Sequence, residues 1–169
     1  MNSNLQFDFL ADKTNNTLTI RREFRADRQL VWDCYTKEDL LNQWFAPKPL
    51  VTKTKSMDFR NGGHWHYAMV EPNGTEYWGW TEYSNINPID FYESSDAFSN
   101  EAGEINADLP RAKWLVSFSD MGENSMVETI VTYASLSDLE AILNMGMQQG
   151  MMATLEKLDE LLLALTNKN

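Results

Sequence analysis

The stretch that most constrains this chain is its last third. From Ser135 to the C-terminus, Leu139, Leu143, Gly146, Gly150, Thr154, Leu158, Leu161 and Leu165 recur at spacings of three and four. That is the period of one face of an amphipathic helix. No proline interrupts the run, and Ser137 followed by Glu140 has the pattern of a capping box at its start. The spacing predicts one long helix, and the rest of the chain must supply a surface that covers its apolar stripe. Gly146 and Gly150 fall one turn apart on that stripe, where a mid-helix glycine costs roughly 1 kcal/mol relative to alanine. Close approach of a sheet or of a ligand would account for them. Met145, Met147, Met151 and Met152 surround the glycines. Flexible, polarisable side chains of this kind suit either plain core packing or a surface that repacks around a bound molecule.

The residues before the helix read mostly as strands. Leu5, Phe7 and Phe9 alternate along the first, and Asp12 to Asn16 is a turn cluster. Leu18, Ile20 and Arg22 then alternate against Thr19, Arg21 and Glu23, giving a hairpin or a bent first strand. Asp27 is placed to cap a short helix running through Tyr35. Thr36 and Asp39 are placed to cap a second, from Lys37 to about Trp44, closed off by Pro47 and Pro49. Four strands are predicted over residues 51–59, 64–70, 75–86 and 89–97, with turns at Asn61-Gly62-Gly63, Pro72-Asn73-Gly74 and Asn87-Pro88. Residues 98–110 form a polar, acidic connection, long for a hairpin, that reads as a lid or as plain surface. A last hairpin turns around Gly122, from 113–119 to 126–133.

This order predicts an α+β fold in a single domain, residues 1–169. One curved antiparallel sheet has an apolar face that must be covered, and only the long C-terminal helix is large enough to do it. Two short helices between the first strands close one end. Where the facing side chains fail to fill the space between sheet and helix, a cavity remains.

Composition narrows the function. Hydrophobic residues are 43% and aromatics 12% of the 169 residues, which excludes a disordered chain. The net charge of −11 is uneven. Residues 1–60 carry ten basic and eight acidic side chains, 61–110 nine acidic and no Lys or Arg, and 111–169 four basic and eight acidic. An acidic chain with no basic stripe argues against nucleic acid and anionic membrane surfaces. The acidic block reads as a solvated face or as a docking face for a basic partner. No stretch reaches the ~18 apolar residues of a spanning helix, and the N-terminus lacks a signal-peptide pattern. The single cysteine, Cys34, cannot form an intrachain disulfide. It fits a reducing, cytoplasmic setting, and its neighbours Val31, Trp32 and Tyr35 suggest a core thiol rather than a nucleophile.

Several motifs resemble those of the Hsp90-ATPase-activator-homologue family, within the START-like, polyketide-cyclase-like superfamily. They are Ile20-Arg21-Arg22-Glu23-Phe24, Val31-Trp32, Leu40 through Pro47, Met57 through Met69 around Gly62-Gly63, Gly79 through Tyr83 with Ile86 and Pro88, and the helix segments Asp138-Leu139-Glu140, Met145 through Gly150 and Thr154 through Leu158. The resemblance runs from about Leu5 to Leu163. It implies a helix-grip fold with a deep apolar cavity between sheet and long helix. Members of that superfamily bind lipids, sterols, hormones or polyketides, and a few catalyse cyclisation or hydrolysis. The family often has a bulky aromatic where this chain has Met151, which implies a differently shaped pocket.

The candidate cavity lining is Trp44 and Phe45 from the end of the second short helix, Trp65, Tyr67 and Met69 from one strand, Trp114, Val116 and Phe118 from another, and Met147 and Met151 from the long helix. The same side chains interlocked into a solid core are the alternative. His64 and His66 share a strand face, with Glu76 or Glu82 as neighbours. They fall short of the three or four ligands a zinc site needs, so no metal or other cofactor is expected and solvent-facing imidazoles are the reading. No nucleophile elbow or phosphate-binding loop is present. A buried carboxylate such as Glu128 or Glu93 would serve as a general base only with a raised pKa; an exposed strand carboxylate is the competing reading. The expected partner is therefore a small hydrophobic molecule. A cyclase- or hydrolase-type enzyme and an Hsp90-type co-chaperone remain as alternatives, and an open sheet edge leaves a homodimer open.

Overall fold

The computed structural model describes residues 5–167. Eight antiparallel strands form one sheet in the order β1-β2-β8-β7-β6-β5-β4-β3. The strands are β1 (Phe7–Asp12), β2 (Thr17–Phe24), β3 (Val51–Met57), β4 (His64–Val70), β5 (Glu76–Asn87), β6 (Phe91–Phe98), β7 (Ala112–Met121) and β8 (Asn124–Tyr133). Helices α1 (Arg28–Thr36) and α2 (Glu38–Leu41) lie between β2 and β3, and α3 (Leu136–Asn144) and α4 (Met147–Thr166) follow β8. This is the expected α+β helix-grip arrangement.

Strict alternation assigns the two faces of the sheet. Along β2, Leu18, Ile20, Arg22 and Phe24 are buried, and the residues between them are partly exposed. The same phase holds in β8, where Ser125, Val127, Thr129, Val131 and Tyr133 point inward. Pairing of Ile20 with Thr129 and of Val116 with Thr129 carries the inward rows from strand to strand. With period two, a slip of one residue would turn every one of these side chains outward.

Two helices close one end. Asp27 caps α1 by accepting the Leu30 N–H at 2.8 Å. The second short helix is shorter than the sequence suggested, ending at Leu41, with Lys37 as its cap. Thr36 instead donates its hydroxyl to the Trp32 carbonyl. Beyond α2, the Trp44 indole donates to the Cys34 carbonyl at 2.8 Å, which holds the turn against α1. Trp32 then meets Phe59, Tyr92 and Phe118 edge to face, with centroids 5.0–6.0 Å apart. This aromatic cluster is the solid part of the core.

The C-terminal run is two helices rather than one. Ser135, not Ser137, is the cap of α3; its hydroxyl accepts the Asp138 N–H. Gly146 then takes φ +89°, a left-handed conformation that any side chain would strain. The chain leaves α3 and enters α4 at that residue. The spacing of three and four continues across the break, so periodicity alone does not reveal it. Helix α3 buries Leu139 against Leu18, Ala112, Val131 and Tyr133. Helix α4 buries Thr154, Leu155, Leu158 and Leu162. Lys157 pins α4 across the end of the sheet by donating to the carbonyls of Ala46 and Leu50 at 2.8 and 3.2 Å. Among the described residues, no helix is long and apolar enough to cross a membrane.

Candidate functional site

Sheet and helix do not meet everywhere. Between them lies a cavity of about 410 Å³, open at one side. Nine of the ten expected lining residues border it. Trp44 and Phe45 come from the turn after α2, Trp65, Tyr67 and Met69 from β4, Trp114 and Val116 from β7, and Met147 and Met151 from α4. Phe118 does not. It shares the inward face of β7, but there α1 covers the sheet, and Phe118 is buried against Trp32 and Tyr35. The wall of the cavity is mostly aromatic: Phe45 meets Trp65 and Tyr67 edge to face, and Trp65 stacks on Tyr67 at 4.0 Å.

The two glycines of the C-terminal run play different parts. Both border the cavity. Gly146 supplies the turn between the helices. Gly150 sits inside α4, and a Cβ built there would meet no atom within 4 Å; its missing side chain leaves space rather than admitting a neighbour. Exposed Met145, the chain neighbour of Gly146, also borders the cavity. Gly79 admits a close approach by the cavity residue Tyr67. The Tyr67 ring lies across it, 2.7 Å from where a Cβ would be, and that lets the Tyr67 phenol reach along β5.

The polar groups of the cavity were not among the expected lining. Asp96 is the chief one. Inward alternation on β6 brings Tyr92, Ser94, Asp96 and Phe98 to the cavity wall. Asp96 lies opposite Thr81 on β5 and opposite Ala112 on β7, and Ala112 lies opposite Tyr133 on β8. The small Ala112 leaves room in that row for the Asp96 carboxylate and the Tyr133 phenol. The Ala112 N–H donates to Asp96 Oδ1 at 2.9 Å. Burial pushes the Asp96 carboxyl up to about 6, against the opposing pull of the Ala112 N–H, of the Trp114 indole beside it and of the Arg111 charge. The Trp114 Nε1–H itself finds no partner in hydrogen-bond geometry. Burial likewise raises the Tyr67 and Tyr133 phenols, and the nearby Asp96 charge adds to both shifts. Both phenols are neutral at physiological pH.

At the far corner stands Arg22, 2% exposed. It lies in the Phe118–Val127–Arg22 row, three inward positions and three strands away from Asp96. Its Nη2 sits 3.6 Å from Asp159 of α4, Nη1 donates to the Glu23 carbonyl, and the guanidinium lies over the Phe24 ring. An inward charged residue on a strand that otherwise alternates apolar side chains is the sequence signal that would have found both Arg22 and Asp96.

The remaining candidates lie elsewhere. Glu128 is on the outer face, bonded to Arg21 at 2.7 Å, and Glu93 accepts from Asn85. His64 and His66 are also on the outer face, but they are not both solvent-facing. His66 is buried, with Nε2 2.8 Å from the Asn100 carbonyl, and it packs on Trp78 and Trp80. His64 stacks on Trp80 and bonds Ser56. Residues 99–109 fold onto this outer cluster, where Gly103 abuts Trp80 and Lys55 bonds the Glu101 carbonyl. The segment therefore sits behind the sheet, and only its flanks, Phe98 and Pro110, touch the cavity. Among the described residues no group of three or more His, Cys, Asp or Glu side chains is placed to hold a metal ion. Cys34 is buried, and burial first, then the Asp33 and Asp39 charges, raise its thiol to about 12; it is no nucleophile.

Comparison with known proteins agrees with this geometry. Residues 25–163 match the family described as Activator of Hsp90 ATPase homolog 1-like protein. A solution structure of a protein from Arthrobacter aurescens is similar over 92% of this chain and 90% of that one, with 26% identity and a TM-score of 0.87. A crystal structure of a Mycobacterium smegmatis protein is similar over 94% and 96%, with 28% identity and a TM-score of 0.85. The fold is also that of the AHSA1 protein from Silicibacter pomeroyi, with 20% identity and a TM-score of 0.69 over 89% and 99% of the two chains. Among curated proteins, nothing matches.

Proposed function

The chain belongs to the Activator of Hsp90 ATPase homolog 1-like family, and from that premise we propose that it binds a small, mainly apolar molecule in the space between sheet and α4. The observation that carries this reading is the cavity of about 410 Å³ walled by aromatic and methionine side chains. Small-molecule sites are concave and mostly apolar, with a few placed polar groups, and fall in this size range. Burial of an apolar guest would displace water from the rings, at about 25 cal/mol per Å² of apolar surface covered. Met147 and Met151 can change rotamer to fit guests of different outline. A cytoplasmic setting is part of the proposal, supported by the lone buried Cys34.

The test is a thermal-shift screen over apolar molecules small enough for the cavity, followed by native mass spectrometry of the hits. Binding raises the melting temperature by mass action, with one guest per chain. A screen in which no apolar molecule shifts the melting temperature rejects the reading.

A second reading has one observation behind it. Asp96 gives the cavity a titratable carboxylate, so an enzyme that uses it as general acid or base is the alternative. Turnover of a bound molecule that stops on Asp96→Asn would establish it. The family's description names activation of an Hsp90 ATPase; for this chain a chaperone ATPase assay decides that role, and an unchanged rate rejects it.

A further inference from the structure

We propose that the guest of this cavity is an apolar organic cation, anchored through a protonated nitrogen by Asp96. The inference rests on the reading of the cavity as a binding site and adds the chemical class of the ligand.

Asp96 is a carboxylate set into an aromatic wall with one hydrogen bond from the protein, the Ala112 N–H on Oδ1. Among the described residues no Lys or Arg side chain comes within ion-pairing distance of it. The nearest guanidinium, Arg111, is turned to the backbone, and its Nε donates to the Asp96 carbonyl at 3.2 Å. The groups that face the carboxylate from neighbouring strands are Tyr67 of β4, Thr81 of β5, Trp114 of β7 and Tyr133 of β8. None of them carries a positive charge, and the Arg111 guanidinium attracts the carboxylate only weakly compared with its burial. A partly buried carboxylate without an ion-paired partner is costly, and an incoming cation reduces that cost.

The surroundings suit the same guest. The rings of Trp44, Phe45, Trp65 and Tyr67 border the cavity, and aromatic rings attract a cation that reaches them. The chain's net charge of −11 favours the approach of cations. The one cationic side chain on the wall, Arg22, is 2% exposed and faces Asp159 at 3.6 Å. Its Nη2 has no hydrogen-bond partner among the described residues, so an anionic probe is needed to test the competing pull of this corner.

Three probes of one chain length decide the matter: decylammonium, decanol and decanoate, titrated calorimetrically below their micellar concentrations into the wild-type protein and into Asp96→Asn. The expected result is one-to-one binding with decylammonium on the order of tenfold tighter than decanol, and decanoate weakest. In Asp96→Asn, which keeps an oxygen for the Ala112 N–H, the ammonium preference falls to about twofold or less. Decanol matching decylammonium, decanoate binding tightest, or an ammonium preference that survives Asp96→Asn overturns the inference and leaves the cavity reading standing. Should none of the three bind, the inference falls, and the thermal-shift screen decides the cavity reading separately. If Asp96→Asn does not fold, the order of the three wild-type affinities decides alone, and Asp96→Glu must retain the ammonium preference.

Discussion

Replacing Gly150 by alanine should stabilise this protein, whereas the same change four residues earlier, at Gly146, should destabilise it. At Gly150 the backbone is helical and a Cβ would touch nothing within 4 Å. Alanine there recovers about 0.5–1 kcal/mol of helix preference. For a chain of this length that raises the melting temperature by roughly 1–4 °C. At Gly146 φ is +89°, and a left-handed residue with a Cβ costs roughly 1–2 kcal/mol, a fall of about 2–8 °C. Gly150→Leu goes further. Its side chain enters the cavity and buries apolar surface worth about 1.5–3 kcal/mol, so it should be more stable still while losing affinity for apolar guests. Urea denaturation gives the free energies, scanning calorimetry the melting temperatures, and ligand titration the affinity. Destabilisation by Gly150→Ala would mean that the space beside α4 is filled. A stable Gly150→Leu that binds guests as tightly as wild type would place the binding site elsewhere.

Three further outcomes follow from the same geometry. Asp96 has its carboxyl raised to about 6 from 3.8, so the folded state holds its proton more tightly than the unfolded chain, and this group's contribution falls as pH rises from about 4 to 6 and stays unfavourable above; Asp96→Asn should therefore melt higher than wild type at pH 7–8, with the gap closing towards pH 4 in scanning calorimetry. Phe118 lies in the aromatic core and not on the cavity wall, so Phe118→Leu should lower stability by about 1–3 kcal/mol in urea denaturation with guest affinity unchanged. His66 holds residues 99–109 through the Asn100 carbonyl, so His66→Leu should speed limited proteolysis in that segment while leaving the cavity's affinity intact.

How much of this was legible in the sequence depends on what each signal encodes. Alternation in β2, β4 and β7 fixes which side chains point inward, because a strand has a period of two, and the inward sets Trp65–Tyr67–Met69 and Trp114–Val116–Phe118 follow from it. What alternation does not encode is which element covers an inward residue. That is why Phe118, under α1, parts company with Trp114 and Val116, under the open part of α4. The break at Gly146 was hidden because a glycine at a helix end and a glycine on a helix face fit the same spacing. Local sequence does not reveal the burial of His66, because that burial comes from a segment more than thirty residues away. The aromatic lining signals size and softness, whereas the chemistry of the cavity lies in the inward carboxylate of Asp96; Glu93 and Glu128 fall on the outer face by the same alternation.

The central claim, an accessible cavity between sheet and α4, is tested most directly by the methyl signals of the methionines. With methyl-labelled methionine, addition of decanol should shift the signals of Met69, Met145, Met147 and Met151, which border the cavity, and leave those of Met121 and Met126 in place. Binding that moves Met121 or Met126 and spares Met147 and Met151 would contradict it.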